Sequence, residues 1–146
     1  MFTFTDSVVL NDAIGFTAIH SDDGEYREGD IVKFNEIVTN IGNHFNPLNY
    51  IFTCPIKGMY MFSVSVLSEY NNKGSRIALM RDGAGLVDVY LSQDASPTDV
   101  MYNSASAVIV VECDIDQRVY VEATQTSYID WSRHASHFSG ALIQRL

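Results

Sequence analysis

Basic residues are scarce in this sequence. Nine Lys and Arg stand against eighteen Asp and Glu, for a net charge of −9, and only three of the nine are Lys. They are scattered from Arg27 to Arg145 without a cluster. No surface can therefore neutralise several phosphates at once, which argues against a nucleic-acid partner. The same scarcity argues against polybasic attachment to an anionic membrane. Long apolar runs are missing too. The longest spans residues 107–111, far short of the ~20 residues a membrane-crossing helix requires, so no membrane insertion is expected.

Other absences narrow the chemistry. There is no Cys-x-x-Cys metal spacing, and no Gly-x-Ser-x-Gly elbow to present a nucleophile. Four His and twelve Asp are present, but nothing in their spacing orders a catalytic triad. The chain is expected not to be an enzyme. His134 and His137 stand three apart, a spacing that could share a metal on a helix. In an extended segment their side chains face opposite ways, which makes them surface polar residues. Cys54 and Cys113 lie in separate expected strands, and the residues alone leave a disulfide and two buried thiols both open. The first ten residues carry neither a basic n-region nor an apolar h-region. That leaves open a signal already removed or another route of export.

What the chain has in abundance is strand-forming residues. Val, Ile and Thr number 14, 12 and 8, and with 17 aromatics they fill 51 of 146 positions. Runs of four to nine such residues recur between Gly, Asn and Asp turn signals. One all-β domain, a sandwich or barrel, is expected. The clearest strand is 58–67, where Tyr60, Phe62, Val64 and Val66 alternate with Met61, Ser63, Ser65 and Leu67. Further strands are expected at 16–21, 50–54, 76–80, 86–91, 105–111, 118–123 and 140–143, the last central because it is apolar on both faces. Asp82-Gly83 reads as a hairpin turn. Segment 33–45 is ambiguous: Phe34, Ile37, Val38 and Ile41 recur at helical spacing, while Asn40, Gly42 and Asn43 oppose a continuing helix.

The spacing of Phe34, Asn40, Phe45, Phe52, Gly58, Tyr60 and Phe62 resembles that of the complement C1q globular-head family. Phe16-Thr17-Ala18 resembles its opening strand, and Phe138-Ser139-Gly140-Ala141-Leu142 its closing one. Val64 departs from the family's usual Phe or Tyr. Asp116-Gln117 stands where the family has Gly-Asp ahead of a strand, here Arg118-Val119-Tyr120-Val121. The collagen-like stalk of larger members is missing, so the resemblance is to a head-only form. It implies an all-β, ten-stranded jelly-roll sandwich of two antiparallel sheets over residues 14–146, after a lead segment 1–13. It also implies a secreted homotrimer that recognises glycans or other microbial surface molecules, as an innate immune lectin. The alternative is a signalling ligand of the C1q/tumour-necrosis-factor type that binds a protein receptor. A surplus of aromatic residues and Met suits a subunit interface.

Two loops carry candidate ligand chemistry. Residues 127–137 hold Tyr128, Asp130, Trp131, Arg133 and His134, and Trp131 is the only Trp. A flat ring beside charged groups can cover a sugar face while the charges take hydroxyl hydrogen bonds; the alternative is that Trp131 packs at the loop base or in an interface. The polar hairpin at Tyr70 and Asn71 is the second candidate. Asp94, Asp99 and Asn103 offer hard oxygen donors that suit calcium, as in some C1q relatives, or form a merely solvated acidic loop. Asp22, Asp23 and Glu25 pose the same choice.

Overall fold

The structure is a computed structural model, and it describes residues 13–22, 24–70, 74–91, 101–130 and 134–146. Twelve strands form: β1 (Gly15–His20), β2 (Glu25–Tyr26), β3 (Phe34–Ile41), β4 (Phe45–Asn46), β5 (Ile51–Thr53), β6 (Gly58–Tyr70), β7 (Ser75–Arg81), β8 (Ala84–Leu91), β9 (Met101–Cys113), β10 (Arg118–Ala123), β11 (Ser127–Tyr128) and β12 (His137–Arg145). Ten of them make two five-stranded antiparallel sheets, in the orders β3-β1-β12-β6-β9 and β4-β5-β10-β7-β8. The remaining pair, β2 and β11, forms a small ladder of its own. The expected jelly roll is present, with β12 in the middle of its sheet.

Alternation along β6 builds the core. Tyr60, Phe62, Val64 and Val66 point between the sheets and are buried, while Met61, Ser63, Ser65 and Leu67 lie on the other face. Phe16 stacks on Phe45 and Phe52 from the opposite sheet, with ring centroids 4.7 and 4.9 Å apart, and meets Phe138 edge-on at 4.9 Å. The Tyr60 hydroxyl donates to the Ile56 carbonyl at 2.6 Å. Burial pushes this phenol up to about 12, which keeps it neutral in the core.

Segment 33–45 is not a helix. Thr17 pairs with Thr39 but Ala18 with Ile37, and Ile19 pairs with Glu36 but His20 with Phe34. Val38 and Asn35 are the extra residues of two bulges. The bulges turn a period of two into an apparent helical spacing, and leave Ile37, Val38 and Ile41 exposed. The Asp82-Gly83 hairpin turn has positive φ at both residues, 48° and 83°, as its strand twist demands. Asp116 holds φ at 68°, so the position at which the C1q pattern has Gly does need the left-handed region, and Asp supplies it.

The outer face of the first sheet is short of charge. Across its strands run two rows in register, Ile41-Gly15-Ala141-Met61-Val110 and Thr39-Thr17-Ser139-Ser63-Val108. Met61, Val108, Val110 and Ile41 are exposed, as is Ile143 on β12. Small side chains in the middle leave a shallow depression of about 260 Å³. The strand ends sort into two poles. His20, Tyr70, Leu91 and Ala123 end their strands at one pole, and Gly58, Cys113 and Arg145 pair at the other.

Gly58 sits at that second pole, where a Cβ would lie 2.5 Å from Leu142 Cδ1 and 2.9 Å from the Gln144 carbonyl oxygen. Leucine can turn away; backbone cannot. Gly58→Val should cost about 1–3 kcal/mol or more in urea unfolding, and an unchanged midpoint would show that the strand has room there.

Candidate functional site

Described residues that border both ligand loops expected from the sequence lie at the first pole. Tyr70 pairs with Met101 at the end of β6, and Asn103 pairs with Ser68. The segment that starts at β11 comes to the same place, because Tyr128 N–H donates to Ser75 Oγ at 2.8 Å. The strand ends at His20, Tyr70, Leu91 and Ala123 thus share one end of the sandwich.

Serines fasten this end. Ser68 Oγ donates to the Tyr128 carbonyl, and Ser75 Oγ reaches the same oxygen at 3.2 Å. Ser127 Oγ accepts from Arg76 N–H at 3.0 Å, and Ser136 Oγ accepts from Leu67 N–H at 2.9 Å. The Ser136 carbonyl takes the His20 N–H at 3.0 Å. All four serines are buried. Short hydroxyls can follow backbone groups where the ladder ends, so they add to the short β2–β11 ladder in holding Ser127, Tyr128 and Ser136 against the sandwich. These positioning residues have no signal in the sequence, because a lone Ser has no periodicity.

Of the expected site residues, Tyr128 is half-buried and Asp130 is buried, its N–H bonded to the Leu67 carbonyl at 2.8 Å. Asp130 therefore lies at the base of this segment. His134 is exposed and meets Glu36 of β3 at 3.5 Å, an exposed contact of little energetic weight. His137 lies on β12, paired with Ile19 and Ser65, so the two histidines occupy different settings. Buried His20 shares a 2.5 Å hydrogen bond between Nε2 and the Tyr26 hydroxyl beneath this end. Trp131, Arg133 and Asn71 lie outside the described residues, and Tyr70 is placed by its backbone alone.

The expected calcium set is similarly divided. Asp94, Asp99 and Asp23 lie outside the described residues. Asn103 shares the β9 face of Ala105, Ala107, Ile109 and Val111, which pack against the core. Asp22 and Glu25 are exposed. Among the described residues, no group of three or more His, Cys, Asp or Glu stands ready to hold a metal. Cys54 and Cys113 are buried free thiols at the other pole.

The C1q domain family model matches residues 15–143. The chain belongs to the C1q domain family. Its fold is similar to that of the zebrafish complement 1qA globular domain, with a TM-score of 0.74 at 17% identity, covering 91% of this chain and 99% of that one. The Eiger TNF of S. frugiperda is also similar (TM-score 0.73, 13% identity, 92% and 94% covered). So is murine APRIL (TM-score 0.71, 14% identity, 90% and 100% covered). At such identities the likeness is one of fold. No helix among the described residues is long and apolar enough to cross a membrane.

The serine fastening is testable. Ser136→Ala leaves the Leu67 N–H without its acceptor in a buried place, which should cost about 1–3 kcal/mol and speed hydrogen exchange at that amide. Unchanged exchange at Leu67 would mean that another group holds the segment.

Proposed function

We propose that this C1q-domain protein is a secreted recognition module that works as a homotrimer and binds glycans or other microbial surface molecules through the loop pole. The observation that supports this reading is the separation of two surfaces. The apolar rows of the first sheet, with Met61, Val108, Val110 and Ile41 exposed, form a face that water disfavours and a second copy can cover. Tyr70 and Tyr128, from which the candidate loops set out, lie at a pole, off that face. Association of copies through the sheet leaves this pole open to ligand. Three copies then engage a repeating surface together, so weak single contacts multiply. Trp131 supplies the ring that covers a sugar face, with Arg133 and His134 beside it for hydroxyl groups. Calcium, held by Asp94 and Asp99 of the 92–100 connection with Asn103 after it, belongs to the same reading.

A protein receptor is the second reading. The Eiger TNF structure, whose fold likeness nearly equals that of complement 1qA, supports it.

The experiment combines light-scattering mass with a glycan and bacterial-polysaccharide array, in calcium and in chelator. Val110→Asp places a charge in the apolar row, and should give single chains with apparent affinity for a polysaccharide surface reduced on the order of 100-fold or more. Trp131→Ala should keep the trimer mass and lose glycan binding; a fall in mass would put Trp131 in the interface instead. Chelation should lower the melting temperature if calcium is held, and an unmoved melting curve removes the metal. A trimer that ignores every sugar selects the receptor reading.

A further inference from the structure

The pole opposite the loops holds a feature that ligand recognition does not use. Cys54 follows β5 of the second sheet, and Cys113 ends β9 of the first. Both are fully buried free thiols. Their backbones are tied together by the turn between β9 and β10. Cys54 N–H donates to the Gln117 carbonyl at 2.9 Å, and Asp116 N–H donates to the Cys54 carbonyl at 2.7 Å. Cys113 itself pairs with Gly58, four residues after Cys54. This double attachment sets the two side chains beside each other, near enough for their thiols to interact.

The two sulfurs are not equivalent. The neighbouring Cys54 thiol, together with the Arg81 guanidinium, holds the Cys113 thiol below the usual cysteine range. Interaction with Cys113 and burial push the Cys54 thiol up. Arg81 is fixed by donating from Nη1 to the Glu112 carbonyl, and it borders a surface depression of about 220 Å³ with Glu112, Asp114 and Gln117. Cys113 lies between two of those lining residues in the chain.

We propose that Cys54 and Cys113 are a reversible redox couple whose disulfide staples the two sheets together at the pole opposite the ligand loops. A low-molecular-weight disulfide such as oxidised glutathione supplies the oxidising equivalents. The Cys113 thiolate attacks one of its sulfurs when the turn opens locally. The glutathione S–S bond breaks, a mixed disulfide forms on Cys113, and the leaving glutathione thiolate takes up the Cys113 proton. Cys54 then loses its proton and attacks the Cys113 sulfur. The second glutathione leaves as a thiolate and takes that proton. Two protein thiols are oxidised to one disulfide, and one glutathione disulfide is reduced to two thiols. Because the bridge closes a long loop between different sheets, it constrains the unfolded chain strongly.

The test uses the full chain, incubated in native buffer with oxidised glutathione or with dithiothreitol. Thiols are then counted in denaturant, and non-reduced tryptic peptides are mapped. The expected result is loss of both thiols, a peptide joining Cys54 to Cys113, and a melting temperature higher by roughly 10 °C that dithiothreitol reverses. Two thiols remaining with an unmoved melting curve would overturn the proposal. So would glutathione adducts or disulfide-linked dimers in place of the internal bond. Cys54→Ser should show no oxidant-dependent rise, and a rise of the same size in it would overturn the assignment. The wild-type measurements decide the matter even if that variant fails to fold.

Discussion

The two sheets are held at their spacing by one aromatic stack. Phe16 lies nearly parallel to Phe45 and Phe52, Phe138 meets Phe16 and Phe45 at steep angles, and Phe62 and Tyr60 extend the contact along β6. These rings come from both sheets, so neither sheet keeps its shape without the other. The stack also dictates its neighbours. A Cβ at Gly140 would lie 2.6 Å from Phe16 Cε1 and from Phe62 Cδ1, so the central strand must be bare where it crosses the rings. With the core fixed in this way, small residues such as Ser63, Ser139 and Ala141 are left for the outer face. The depression there follows from that choice.

The core was more legible than its edges. Alternation over Gly58 to Leu67 has one explanation, a strand with one face inside, and the residues along it are buried accordingly. The Asp82-Gly83 turn could be read from its two residues, since few pairs tolerate positive φ in succession. Segment 33–45 could not. Its apolar spacing comes from two bulges and an exposed apolar face, and bulges depend on the partner strand, which local periodicity does not contain. The family resemblance carried what periodicity lacked, because its anchors are the rings of the stack.

At the candidate site the sequence indicated regions better than roles. Segment 127–137 stood out by composition, and Tyr128 within it does lie at the same pole as Tyr70. Yet Asp130, a natural candidate for ligand contact, is buried at the loop base, while the groups that position the loop are Ser68, Ser75, Ser127 and Ser136. Their acceptors and donors are backbone groups on other strands, and only the folded register brings them together. The meeting of Cys54 with Cys113 has the same origin: they stand 59 positions apart in the chain, and the β6–β9 ladder with the turn beyond it closes the gap.

The polarity of the sandwich also governs how the molecule can be attached to anything else. Described residues begin at Ala13, just ahead of the β1 residue that pairs with Ala141, and end at Leu146, whose N–H donates to the Lys57 carbonyl at 3.1 Å. Both ends of the folded body thus emerge at the pole remote from the loops. A tether, fusion partner or solid support joined at either end would hold the domain by its base. The loop surface would face outward, so copies arrayed on a particle would all present it in the same orientation.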